Sequence, residues 1–142
     1  MRSAHLPTHS LRVRSRRANA AARFRLSRIA ADREAHLVFR LVIRATLVAP
    51  EALVSRSRGT AHVAFARHLV MYLLNVVYSR TFKDIGALIG RDPGSVAHGC
   101  AIIESRRDSA IFEECVSGLE AHLAPAIAIA EEEIESAGPR YA

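Results

Sequence analysis

Arginine supplies most of the chemistry this chain can do. Nineteen of its twenty basic side chains are Arg, and Lys83 is the only Lys. A guanidinium is planar, permanently charged and carries a fork of donors that matches phosphate oxygens, so the bias suits a polyanionic partner. An Arg- and Ala-rich composition also follows from GC-rich coding, so the bias alone does not name that partner. The placement of charge says more. Residues 1–30 hold eight Arg and no acid, whereas residues 108–139 hold eight acids and no Arg or Lys. With a net charge of +6 and a pI near 10.3, one end should attract nucleic acid and the other repel it.

Catalysis has no comparable footing. The chain holds no paired carboxylates and no nucleophile–base set. It also lacks the glycine-rich loop ending in Lys-Ser or Lys-Thr that cradles phosphates. No enzyme activity, cofactor or small-molecule substrate is expected. His98, Cys100, Cys115 and His122 are zinc-ligand types, yet their spacing fits no zinc pattern. Both Cys fall where helices need apolar residues, which points to buried free thiols and no metal. Two Cys also argue against a secreted disulfide scaffold. The N-terminus lacks the apolar core of a secretory signal. The longest apolar stretch, Val63 to Tyr78, contains Arg67 and His68 and is too short to span a bilayer. A membrane surface is not an expected partner.

The segment from Thr81 to Cys100 has the punctuation of a helix-turn-helix. Thr81 can cap a short helix, with Asp84 three residues on. Ile85, Leu88 and Ile89 face inward and Gly90 ends the helix. Asp92 caps the next helix with Pro93 at its first position. There Val96, Cys100 and Ile103 define a buried side, and Gly94, His98, Ala101 and Ser105 an outer one. In such a motif the second helix enters the DNA major groove.

The elements that must hold this motif also read as helices. Residues 1–24 are expected to be a disordered basic tail. From about Ala21 an irregular amphipathic helix of roughly twenty residues runs to Leu47 and stops before Pro50. Pro50 to Val54 is one helical turn, and Ser55 to Thr60 a basic loop. Ala61 to Arg80 is the strongest helix and the centre of the core. A last helix, capped by Asp108, carries Phe112, Cys115, Val116 and Leu119 and is interrupted by Pro125. Residues 125–142 are an acidic C-terminal tail, with Glu131 to Glu135 either solvated or a helical extension. The expected fold class is all-α, with one helical domain over residues 25–124 and its helix-turn-helix at 81–107.

Gly90-Arg91-Asp92-Pro93-Gly94-Ser95-Val96-Ala97-His98-Gly99-Cys100 resembles a run close to G-R-D-H-T-T-V-x-H-A-C. That run belongs to domain IV, the C-terminal DNA-binding domain of the bacterial replication initiator DnaA. Ala66 to Leu73 is similar to that family's A-R-x-x-A-M-Y-L run. The resemblance spans roughly residues 36–124. It extends to short stand-alone versions of the domain, of which the HdaB-type proteins are one group, thought to act on the machinery that switches DnaA off.

The resemblance implies a Trp-repressor-like helix-turn-helix bundle and a bacterial, cytoplasmic, nucleoid-associated protein. It implies phosphate contacts from Arg91 and Arg67, with Lys83 approaching the backbone. Base reading would fall to Asp92, Gly94, Ser95 and His98. Here the chain departs from the pattern. Pro93 replaces a His and offers no donor; Gly94 replaces a Thr and has no methyl to set against thymine. One or two base contacts are lost, each worth about 1–3 kcal/mol of discrimination. The family also sends a loop Arg into the minor groove. Gly59 stands at that position, with Arg56 and Arg58 shifted beside it, and a flexible loop would deliver Arg58. Gly94 and Gly99 thin the recognition helix, either for close approach or through drift. Two functions remain open. One is a DNA-binding regulator of replication initiation on DnaA-box-like duplex DNA. The other is a regulator that uses the same fold on replication-initiation regulatory proteins.

Overall fold

The computed structural model describes the backbone of residues 8–136 and the side chains of residues 16–124. Among these residues run seven α-helices and no strand. They are α1 (Thr8–Ala31), α2 (Arg33–Thr46), α3 (Pro50–Leu53), α4 (Ala61–Val76), α5 (Phe82–Ile89), α6 (Pro93–Arg106) and α7 (Ala110–Ser136). The fold is an all-α helix-turn-helix bundle. Its core forms around α4, in which every residue from Leu69 to Leu74 is buried along with Ala66 and Arg67. α2, α5 and α6 all pack on this helix. α2 contributes Ala35, Val38, Phe39, Val42 and Thr46, buried at three- and four-residue spacing, which is the stripe a surface helix turns to a core.

Side-chain caps fix where four helices begin. Asp32, Thr60, Thr81 and Asp92 accept from the backbone N–H groups of Ala35, Val63, Asp84 and Ser95. Each such cap satisfies an otherwise orphaned donor and contributes about 1 kcal/mol. The caps at Thr81 and Asp92 and the left-handed Gly90 (φ 75°) stand where the sequence puts them.

Several expectations are corrected. The disordered tail does not hold for residues 8–24, which are helical in α1; residues 1–7 lie outside the described residues. Ala and Arg are strong helix formers, and Ala22 and Ile29 of α1 are buried against the body. The long helix before Pro50 is two helices, because Asp32 leaves helical geometry (φ −101°, ψ 109°) to cap α2. α4 stops at Val76 and not at Arg80. Ser79 takes a left-handed turn (φ 54°), and Asn75 Nδ2 donates to the Arg80 carbonyl at 2.9 Å. α7 starts at Ala110, not directly after Asp108, and continues through Pro125 to Ser136. A proline removes one backbone donor, and the Ala-rich flanks carry the helix across that gap. The acidic tail therefore begins as helix, and residues 137–142 lie outside the described residues. Cys100 is buried, and burial pushes its thiol up to about 11. Cys115 is exposed, contrary to expectation.

Two Arg-centred clusters tie the bundle. Arg107 donates to Glu113 and Glu120 on α7 and to the Tyr72 hydroxyl on α4, at 2.5–2.7 Å. Tyr72 in turn donates to Glu104 on α6 at 2.7 Å. Arg80 donates to both Asp32 oxygens at 2.9 and 2.7 Å and to Glu34 at 2.9 Å. That pairing binds the end of the α4 segment to the start of α2. The Arg80 hydrogen bond holds the Asp32 carboxyl below its ordinary 3.8. The stabilisation is therefore present above that value and is lost as pH falls through the folded-state value. Asp32→Asn keeps a capping oxygen but not the charge. It should lower unfolding free energy by about 1–2 kcal/mol at pH 7, and by progressively less as pH falls below 3.8 on the same linkage. Urea melts at pH 7 and at a series of values below 3.8 check this.

Candidate nucleic-acid interface

The turn between α5 and α6 is built on glycine. Gly90 N–H and Arg91 N–H both donate to the Gly86 carbonyl, at 2.8 and 3.0 Å. The chain folds back so tightly that a Cβ at Gly86 would collide with the Arg91 carbonyl oxygen. Asp92 then accepts from Ser95 twice, from its N–H at 3.0 Å and its hydroxyl at 2.7 Å. Those bonds, the hydroxyl's first, hold the Asp92 carboxyl below its ordinary value. α6 buries Val96, Gly99, Cys100 and Ile103 and leaves Gly94, Ser95, His98, Ala101 and Ser105 exposed. Gly99 therefore lies inside. A Cβ there would sit 2.6 Å from Met71 Sδ and 2.8 Å from His68 Cδ2. Its role is the close approach of α6 to α4, which neither a DNA-facing surface nor drift explains.

Beside this motif lies the Ser55–Thr60 loop, and its geometry was not foreseen. Three guanidiniums take up its inward carbonyls. Arg67 donates from Nε to Leu53 (3.0 Å), from Nη2 to Ala52 (2.9 Å) and Ser57 (3.2 Å), and from Nη1 to Arg58 (3.2 Å). Arg91 donates to Ser55 (2.8 Å), Arg56 (3.2 Å) and Ser57 (3.3 Å). Arg25 on α1 donates to Val54 at 2.9 Å. Every carbonyl from Ala52 to Arg58 thus accepts from an arginine. The loop is held, where the sequence reading asked it to flex. Gly59 takes φ 70° at its end, with its Cβ position against Val63.

This corrects the reading of Arg67 as a phosphate contact. The residue is only 4% exposed, and four carbonyls occupy its donors. A buried guanidinium without partners would be strongly unfavourable, so it turns inward onto the loop. Burial, and next the neighbouring Arg91, lower its pKa to about 10. Arg91 is half-buried, and both its Nη groups also serve the loop. Its pKa is lowered by burial first, then by Arg25 and Arg56.

The loop's own side chains point the other way. Arg56 and Arg58 are exposed, and their guanidiniums have no hydrogen-bonding partner among the described residues. They line a concavity of about 330 Å³ together with Arg67 and His68 of α4, Arg91 of the turn, and Ser95 and His98 of α6. No carboxylate lines it. Asp92 and Gly94 stand exposed at the adjoining start of α6. Lys83 is exposed on the first turn of α5 and is not part of the concavity. His68 and Arg25 are the contributors that sequence reading missed. His68 follows Arg67 and falls one turn before Met71, a spacing that could have flagged it. Arg25 carried no comparable signal, being 29 residues from the carbonyl it meets. Burial pushes the His68 pKa down, and His98, Arg67, Arg58 and Arg106 push it further. The cavity is thus short of negative charge in a way an anion would relieve.

Arg67→Met should lower unfolding free energy by about 2–4 kcal/mol, since buried carbonyls lose a charged donor. Arg67→Lys should recover little of it, because one ammonium cannot span the same carbonyls. Denaturant melts, with faster amide exchange across residues 55–60, provide the check.

Among the described residues no helix is long and apolar enough to cross a membrane, and no cluster of His, Cys, Asp or Glu could hold a metal ion. No curated protein matches the chain. A family model does: the bacterial DnaA protein helix-turn-helix matches residues 35–103. That span runs from the first turn of α2 to near the end of α6 and contains the loop, the turn and the concavity. The family is a duplex-DNA-binding domain and not an enzyme class. Through residues 35–103, then, this chain is similar to the bacterial DnaA helix-turn-helix family.

Proposed function

We propose that the protein is a DNA-binding regulator of chromosomal replication initiation, docking on DnaA-box-like duplex DNA. One observation carries the reading: a concavity free of carboxylates, bounded by Arg56, Arg58, Arg91, His68 and His98, opens beside the start of α6. Arg56 and Arg58 act as the phosphate donors, because their guanidiniums are free. Arg91 and Arg67 act at one remove, by holding the loop and adding to the field. Lys83 extends the phosphate contacts from α5. Ser95 and His98 face the base edges, while Pro93 and Gly94 supply no donor and no methyl there. Affinity therefore rests on phosphate and sequence preference is shallow. On this reading the protein works by binding alone, in the bacterial cytoplasm on the nucleoid.

Fluorescence anisotropy with a DnaA-box duplex and a scrambled duplex, each at two salt concentrations, tests this. Affinity should fall steeply with salt, with a slope of about −0.9 per phosphate neutralised. Arg56→Ala and Arg58→Ala should weaken both duplexes alike. Pro93→His with Gly94→Thr should widen the gap between the duplexes by about 1–3 kcal/mol. Binding absent at low salt, or indifferent to salt, would sink the proposal. Equal binding to both duplexes would remove sequence reading and leave a DNA-bound role.

The proton balance of His68 gives an independent check. In the free protein its pKa is held below the ordinary 6.5. A phosphate in the concavity raises it, so binding takes up a proton and affinity rises as pH falls. Between about pH 7.5 and 5.5 the effect should follow His68 and be reduced in His68→Gln.

A second reading rests on the same exposed start of α6. Pro93 and Gly94 make it smooth, which suits a protein surface as well as a groove. Recovery of a replication-initiation protein by the full chain after nuclease treatment would favour that reading.

A further inference from the structure

We infer that Arg106, held against two aromatic rings at the far end of α6, is a second phosphate contact for the duplex, so that α6 is anchored at both ends. The inference rests on the duplex-binding reading and extends it past residue 103, where the match to the family model stops. Helix periodicity sets the position. Ser95, His98, Ile102 and Arg106 follow one another at spacings of three, four and four along α6, so they share one face of the helix. The first three line the concavity beside the loop, and Arg106 is the next residue on that stripe. From Ser95 to Arg106 the axis rises about 16 Å. A B-form major groove is about 12 Å wide, so a helix seated in it has its two ends near different stretches of phosphate.

Arg106 and Arg107 are neighbours with opposite fates. Arg107 turns inward and takes up Glu113, Glu120 and the Tyr72 hydroxyl, while Tyr72 takes up Glu104. Those three carboxylates near the end of α6 are thereby engaged. Arg106 is exposed, and its guanidinium has no hydrogen-bond or ion-pair partner among the described residues. Its position is nevertheless fixed. Its Cζ lies 5.2 Å from the Phe65 ring centroid and 5.6 Å from that of Phe112, and the two rings meet edge to face at 5.9 Å. Cation–π attraction holds the guanidinium without using its N–H donors. Those donors border a recess of about 430 Å³, lined by Phe65, Ser105, Arg106, Ser109 and Phe112. No carboxylate lines it, and the exposed Asp108 stands outside it. α7 begins directly after Ser109, so the positive end of its dipole lies beside the recess and offsets the negative end of α6. After burial, His98, Arg67 and Arg58, Arg106 also helps to lower the pKa of His68 in the concavity, so the two basic sites belong to one surface.

The test uses the full chain on a scrambled duplex of about two helical turns, with affinity read by fluorescence anisotropy across a series of salt concentrations. Arg106→Gln keeps the aliphatic stem on the rings and removes the charge. It should lower affinity about tenfold at low salt and flatten the salt slope by about 0.9, the share of one phosphate. Arg106→Ala should do the same, and its agreement with Gln separates phosphate contact from packing. Phe112→Leu keeps the charge but frees the guanidinium, so it should weaken binding about threefold with the slope unchanged. Arg23→Ala removes an exposed charge from α1 and should leave both quantities at their wild-type values. Equal affinity and slope for Arg106→Gln and the wild type overturn the inference. So does an Arg23→Ala slope as flat as that of Arg106→Gln, because total charge alone is then being read. In both cases the duplex-binding reading stands, provided that Arg56→Ala with Arg58→Ala still weakens binding. If the wild type binds no duplex at low salt, both fall.

Discussion

Seven consecutive carbonyls, from Ala52 to Arg58, each accept a hydrogen bond from Arg25, Arg67 or Arg91. The candidate interface depends on this arrangement. α3 is only four residues long, so its last carbonyls have no partner within a helix. The loop that follows has no ladder of its own either. Unpaired, those oxygens would make the segment unstable beside the core. Guanidiniums supply several donors from one side chain, and three of them do here what a sheet edge or a longer helix does elsewhere. With the carbonyls turned inward, Arg56 and Arg58 are left to face solvent.

The clasp has an electrostatic consequence. Arg67 and Arg91 both donate to the Ser57 carbonyl, and each bears the other's charge or that of Arg25. Like charges brought together at low dielectric are unfavourable. Carbonyl dipoles offset part of this, yet no carboxylate lines the concavity they border. The structure thus holds positive charge in place without neutralising it. On the duplex-binding reading, a phosphate arriving there finds the loop backbone already held, and the ordering left to docking is that of the exposed Arg56 and Arg58 side chains.

What the sequence disclosed and what it hid divide along a physical line. The caps at Thr81 and Asp92, the left-handed Gly90 and the buried stripe of Val96, Cys100 and Ile103 are local, and each follows from neighbours within one or two turns. The break at Asp32 is also local, but the apolar residues on both sides of it mask the cap. The roles of Arg67 and Gly99 are not local. An Arg at a helical core position reads as a charged exception on an apolar face. Only the fold shows carbonyls arriving from residues 9–15 positions away. Gly99 reads as a weak point in a helix until α4 comes within contact of it. The first half of α1, before Ala21, went unread because its Arg residues run all round it, so no apolar period announces where it packs.

The division between scaffold and reading surface follows from the same geometry. Gly86 sets the turn by admitting the Arg91 carbonyl, and Gly99 sets the depth of α6 by admitting Met71 and His68. A larger residue at either position would move the whole helix. Positions 93 and 94 carry no such constraint. Both are exposed, and the added Cβ of a residue at 94 would meet only the Asp92 carboxylate, at 3.1 Å. Side chains there are free to vary without disturbing the core. The frame that presents α6 can therefore persist while the residues that would discriminate between bases change. Such a protein keeps the part of its affinity that comes from charge and gives up the part that comes from sequence.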